Sequence, residues 1–293
     1  MRQAVKDIFF DFSVGHEGFT PFMYCDILNL VTTGIGNLID KGPRNGFAIS
    51  NVAMAPAMGL PWKFKGAGWT SKNPVAADIA SQADIREAWI RTKLKEQEIP
   101  GFNKGGGFAY AGLTPLTLDM EGLKTLFNRT LVSFENTIRT KNPNWESWPA
   151  DAQLAMLSMA WAMGPAFTDK FKAMKIALDR GDFASAGAQS RFTGGDVKSG
   201  GKLSRNEENV IMFKNAADVV KGGVDPNRLF FPGTVATSAG ILPSPKDVIG
   251  PVAVKTKTLG ERAIQIGTPI AAIAVIGAVG YSLYELNKEK GWI

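Results

Sequence analysis

Val5, Ile8, Phe9 and Phe12 fall at i, i+3, i+4 and i+7, the stripe of an amphipathic helix. That helix ends at Glu17, where Gly18 supplies a stop. Beyond Pro21 apolar and polar positions loosely alternate, and Gly34 and Gly36 permit tight turns, so a small β-hairpin layer is expected there. Helical spacing returns with Leu123, Leu126, Phe127, Leu131, Phe134 and Ile138 and predicts a helix over 117–139. Thr117 is its expected N-cap, with Asp119 and Glu121 in the first turn. After a Pro/Trp-rich turn, residues 151–164 are apolar nearly all round, the pattern of a helix at the centre of a domain.

The far end of the chain has a different pattern. From Ile266 to Tyr284 there are 19 residues without a formal charge. As a helix they extend about 28 Å, close to the roughly 30 Å of a bilayer's hydrocarbon core. Arg262 flanks one side, Lys288 and Lys290 the other, and Tyr281, Tyr284 and Trp292 suit an interface. A transmembrane helix is therefore expected over 263–284, with a short polar tail over 285–293; the competing reading is a buried core helix. Its orientation stays open, because Lys255, Lys257 and Arg262 barely outnumber Lys288 and Lys290. Residues 222–262 carry prolines and glycines with no strong periodicity and read as a linker. The folded domain is placed at 1–221. Its N-terminus holds charges where a secretion signal needs an apolar core, so no such signal is read.

Composition narrows the chemistry. Among 293 residues there is one histidine and one cysteine, which disfavours a disulfide framework or a zinc site. No metal or organic cofactor is expected. The net charge of +6 suits an anionic partner, but no Lys/Arg block is dense enough to read as a nucleic-acid patch.

The most informative stretch runs from His16 to Asn37. Glu17 closes a helix and Asp26 lies on a neighbouring loop or strand, so two carboxylates have the means to face each other across a cleft. Glycoside hydrolysis needs such a pair, one to protonate the leaving oxygen and one to activate water or attack. Two acids nine positions apart are by themselves a weak signal. The context adds weight. A Glu-Gly pair (Glu17, Gly18) is followed by Tyr24, Asp26, and then Thr32 opening a Thr-x-Gly-x-Gly run through Gly34 and Gly36. This spacing resembles the phage-type lysozymes, the muramidases of glycoside hydrolase family 24. The apolar helix over 151–164, ending in an aromatic-x-x-Gly turn, is also similar to that family. So is the segment from Gly200 to Glu208, which resembles the family's Gly-Leu-x-x-Arg-Arg-x-x-Glu run with one arginine absent. The resemblance covers residues 1–37 and roughly 114–216.

The resemblance implies an α+β fold, a mostly helical lysozyme-like domain with a small β-hairpin layer beside the active-site cleft. It implies cleavage of the β-1,4 bond between N-acetylmuramic acid and N-acetylglucosamine, with peptidoglycan as the partner. Glu17 would be the general acid, Asp26 the base on the attacking water, and Thr32 a holder of that water. The product would be inverted, with the carboxyl groups about 6.5–9.5 Å apart. Two departures stand out. Asn37 replaces the family's usual histidine, which puts local stability in question. An insert over about 41–113 replaces a much shorter connection; it holds Trp62, Phe64, Trp69, Phe108 and Tyr110 and an expected helix over 81–95. Those aromatics suit either a sugar groove, a docking surface for virion or channel proteins, or the insert's own core, the commonest use of aromatic residues.

Two other readings compete. His16 and Cys25 are candidates for a thiolate–imidazole pair, although their order does not match the amidases and peptidases that use one. A virion membrane protein with a structural or genome-delivery role, keeping the lysozyme fold with little or no activity, is the other. With the C-terminal anchor, the reading taken forward is a muramidase held at a virion or host inner membrane that opens the wall locally during genome entry or release.

Overall fold

A computed structural model describes residues 1–196 and 203–235. They form an α+β arrangement dominated by helices, with two small antiparallel sheets. The chain divides into two compact units. Among the described residues, one is Met1–His16 with the chain from Val132 to Val235; the other is Glu17–Leu131. The division falls at the last residue of α1 (Gln3–Glu17) and inside α4 (Met120–Lys141).

In the first unit the amphipathic stripe of α1 behaves as its spacing predicts, burying Val5 and Phe9 and leaving Ile8 and Phe12 half-buried. The Phe9 ring meets the Trp161 ring edge-on at 5.7 Å. α5 (Ala150–Met163) buries every residue from Ala150 to Ala160, as an all-round apolar helix must. Gly164, at φ 86°, ends it in a conformation that costs glycine nothing. Two short helices, α6 (Lys172–Asp179) and α7 (Phe183–Ala188), lead to α8 (Arg205–Gly222), which opens on a capping box between Ser204 and Glu207.

The packed chain continues past residue 221, where the linker was expected to begin. Leu229, Phe230, Phe231 and Val235 are all buried, and Phe230 and Val235 pack with Val219 of α8. The cause lies far back in sequence. Asp151, in the first turn of α5, is fully buried and accepts the backbone N–H groups of Phe230 and Phe231, each at 2.9 Å, and the Asn215 amide at 2.9 Å. The rest of the expected linker, the span over 263–284 and the tail over 285–293 lie outside the described residues. Among the described residues no helix is long and apolar enough to cross a membrane.

The second unit begins with β1 (Thr20–Cys25), β2 (Val31–Gly34) and β3 (Asn37–Leu38), a meander in that order. α2 (Asn51–Met58), β4 (Lys63–Lys65), β5 (Ala76–Ile79) and α3 (Gln82–Glu98) follow, and β4 forms the centre of a second sheet between β5 and β6 (Leu116–Thr117). α3 starts on a Ser81–Asp84 capping box, at the expected boundary, and runs to Glu98. The cap of α4 was misplaced by two residues. Thr117 belongs to β6, opposite Lys63, and it is Asp119 whose Oδ1 accepts the Gly122 N–H at 2.8 Å.

The insert has no core of its own. Trp62, Trp89 and Tyr110 are fully buried in one cluster with Phe22, Met23, Cys25 and Val31 of the hairpin. A buried tryptophan removes about 200 Å² from water, roughly 5 kcal/mol of gross transfer energy. The hairpin is therefore stabilised largely by residues of the insert. Phe64 and Trp69 pack on the same cluster, and Phe108 alone of the five singled-out aromatics is exposed, at 43%.

Candidate active site

β1 and β2 pair antiparallel with Tyr24 opposite Thr32 and Cys25 opposite Val31. Directly opposed residues share a face of the sheet, and positions two apart on a strand do so as well. Tyr24 and Thr32 therefore share one face of the hairpin, Asp26 follows directly after β1, and Cys25 and Val31 are buried in the core.

Asp26 follows the end of β1 and opens a tight loop. Its Oδ1 accepts the Leu28 and Leu30 N–H groups, both at 2.9 Å, and its own N–H donates to the Leu30 carbonyl at 3.0 Å. This turn fixes the carboxylate, and among the described residues Oδ2 has no hydrogen-bond partner. Burial pushes the Asp26 pKa up from the usual aspartate range, against the two N–H groups and the Lys93 charge, which pull it down. Thr32 is buried, and its hydroxyl donates to the Leu30 carbonyl at 3.1 Å. The proton of Thr32 is thereby committed, and its oxygen lone pairs are left to accept from a water.

Glu17, half-buried, is the last residue of α1, and Gly18 at φ 66° turns the chain from helix into β1. Tyr24 links it to Asp26. The phenol's pKa is raised first by burial, then by the negative charges of Asp26 and of Glu17. Both carboxylates thus lie within electrostatic reach of one ring. Tyr24 was noticed in sequence only as part of the spacing; its place two residues before Asp26 was the signal that it faces the site.

The glycine run has its own logic. Gly34 takes φ 64°, and a Cβ there would stand 2.7 Å from the Asn37 Oδ1. Asn37 occupies the position where resemblance suggested a histidine. Its Oδ1 accepts the Ile35 N–H at 3.0 Å and its amide donates to Thr130 Oγ1 of α4 at 2.8 Å, so it ties the β2–β3 turn to that helix.

The insert borders the site. Gly107 lies against Tyr24 closely enough that a Cβ would meet the ring at 3.3 Å and Thr20 Oγ1 at 3.3 Å. Asn103 donates to the Asp26 carbonyl at 3.3 Å.

His16 and Cys25 are engaged separately. His16 Nε2 lies 2.6 Å from the Glu208 carboxylate. The Cys25 thiol, buried, donates to the Thr92 carbonyl at 3.4 Å, and burial pushes its pKa up to about 12. That is the opposite of what a thiolate nucleophile needs. Among the described residues, no cluster of three or more histidine, cysteine or acidic side chains is arranged to hold a metal ion. No protein-family model matches the chain, and no curated protein matches it.

Proposed function

We propose that this chain is a muramidase with a lysozyme-like catalytic domain, cleaving the β-1,4 bond between N-acetylmuramic acid and N-acetylglucosamine with inversion. The observation that supports the reading is that Tyr24, which feels the negative charges of both Asp26 and Glu17, lies directly opposite Thr32 in the hairpin.

The division of labour follows from the surroundings of each group. Glu17 protonates the glycosidic oxygen. Asp26 keeps Oδ1 on two backbone N–H groups and takes a proton from water on Oδ2. Its raised pKa makes it a stronger base than an ordinary aspartate. The water keeps its second hydrogen and donates it in a hydrogen bond to the Thr32 oxygen, whose own proton is held by the Leu30 carbonyl. With both hydrogens directed away, the water's lone pair is aimed at the sugar carbon. The uncharged run over 263–284 supports a membrane-anchored enzyme, and the positive balance supports attraction to an anionic wall or lipid.

A peptidoglycan zymogram of the full chain beside Glu17→Gln and Asp26→Asn tests the assignment. Clearing by the parent and its loss in both variants is expected. Clearing that survives Glu17→Gln would overturn it. No clearing by any of the three would favour a structural role in a virion.

A further inference from the structure

The insert contributes one member of a fully buried ion pair that bonds to the Asp26 turn. Lys93 of α3 and Asp40, which follows β3, are both 0% exposed, with Nζ 2.8 Å from Oδ2. The same ammonium donates to the Asn29 carbonyl at 2.5 Å. Asp40 in turn accepts the Val31 N–H at 3.2 Å through Oδ2 and the Gly42 N–H at 2.6 Å through Oδ1. Asn29 sits at φ 53°, unusual for a residue with a side chain, and its amide donates to the carbonyls of Gly46 (3.1 Å) and Lys93 (3.4 Å). The Leu28 carbonyl accepts from the Asn45 N–H at 2.7 Å. The loop between Asp26 and Leu30 is thus held at the Leu28 and Asn29 carbonyls and at the Asn29 amide.

A buried charge pair is a poor source of net stability, since desolvating two ions offsets much of their attraction. A well-packed apolar pair would serve a purely structural insert as well. A pair whose lysine also donates to the loop that carries Asp26 has another use.

We infer that Lys93, partnered by Asp40, is a positioning residue for Asp26, so that the insert is a working part of the catalytic machinery. The catalytic side of this inference rests on the muramidase reading; the hold on Asp26 does not. The two ends of the pair act on Asp26 in opposite senses. The Lys93 charge lowers its pKa and the Asp40 charge raises it. The other titratable groups coupled to Asp26 are Tyr24 and Cys25, the thiol of the residue before it. A role confined to packing would make both substitutions act alike.

The test is a pH titration of the Leu28 and Leu30 amide resonances, which report the Asp26 carboxylate directly, in the full-length protein, Lys93→Met and Asp40→Asn. Peptidoglycan turnover is measured alongside. Lys93→Met is expected to move the Asp26 midpoint up by about half to one pH unit, and Asp40→Asn to move it down. In Lys93→Met kcat falls about tenfold or more while KM stays near the parent value, because the base and not the sugar contacts is displaced. Midpoints unmoved, or moved in the same direction, overturn the inference. If Lys93→Met fails to fold, Asp40→Asn alone decides, since Lys93 keeps its bond to Asn29. A parent protein that titrates as expected but releases no sugar overturns the muramidase reading and leaves the hold on Asp26 standing.

Discussion

Asp151 holds a carboxylate in full burial with three N–H donors, and burial raises its pKa from 3.8 to about 6. The folded state therefore binds this proton more tightly than the unfolded chain. Its stabilising contribution is complete below pH 3.8 and is lost as pH rises through about 6, a change of about 3 kcal/mol. Urea unfolding from pH 4 to 7 should show that decline in the parent and a flatter profile in Asp151→Asn. At the candidate site the raised Asp26 pKa shifts activity in a defined direction. A base works only when deprotonated, so the acidic limb of the pH–rate profile should lie above 3.8, the ordinary aspartate value. Gly34→Ala should cost about 1–2 kcal/mol from its backbone conformation alone, with the 2.7 Å approach to Asn37 adding to it, measured as a lowered unfolding midpoint. At this scale the sequence was most readable where one residue sufficed. Glu17, Asp26 and Thr32 stood out as candidates by type and spacing. Lys93 and Asp40 were not, because nothing in a run of side chains says that a lysine on one helix reaches a carbonyl 64 positions away.

Elements were legible in proportion to how locally they are determined. α1, α5 and the body of α4 follow from apolar spacing, and each buries most of the side chains its pattern predicts, with Ile8, Phe12 and Phe134 half-buried. The start of α4 was misread because Thr117 and Asp119 are both good caps, and the pairing of β6 with β4 takes Thr117 for a sheet. The same long-range dependence hid the second sheet, whose strands are only two to four residues long. The aromatics of the insert were correctly weighed as core, but the core they fill includes the hairpin. Trp89→Ala on α3 should therefore destabilise by about 3–5 kcal/mol, and the loss should appear in the hairpin. Hydrogen exchange is the measurement: amides of β1 and β2 should lose protection together with those of α3.

For the whole chain, the boundary of the folded part carries a direct consequence. A fragment ending at residue 221 removes Phe230 and Phe231 and strips Asp151 of two donors, whereas one ending at Val235 keeps them. The shorter fragment should unfold at lower urea concentration than the longer. Its prolines and glycines disguised this tail as a linker, since turn-forming residues say where a chain bends and not whether it is buried. The resemblance and the uncharged run near the end of the chain had suggested a catalytic domain with an anchor, and the insert shares one core with the hairpin. The central claim is that Glu17 and Asp26 carry out inverting hydrolysis of a glycosidic bond. Its most direct test is the anomeric configuration of the first reducing ends released from peptidoglycan, followed by NMR for the full chain and for Glu17→Gln. The account predicts α-anomers from the parent and no release from Glu17→Gln. Initial β-anomers, or release that continues without the Glu17 carboxyl, would contradict it.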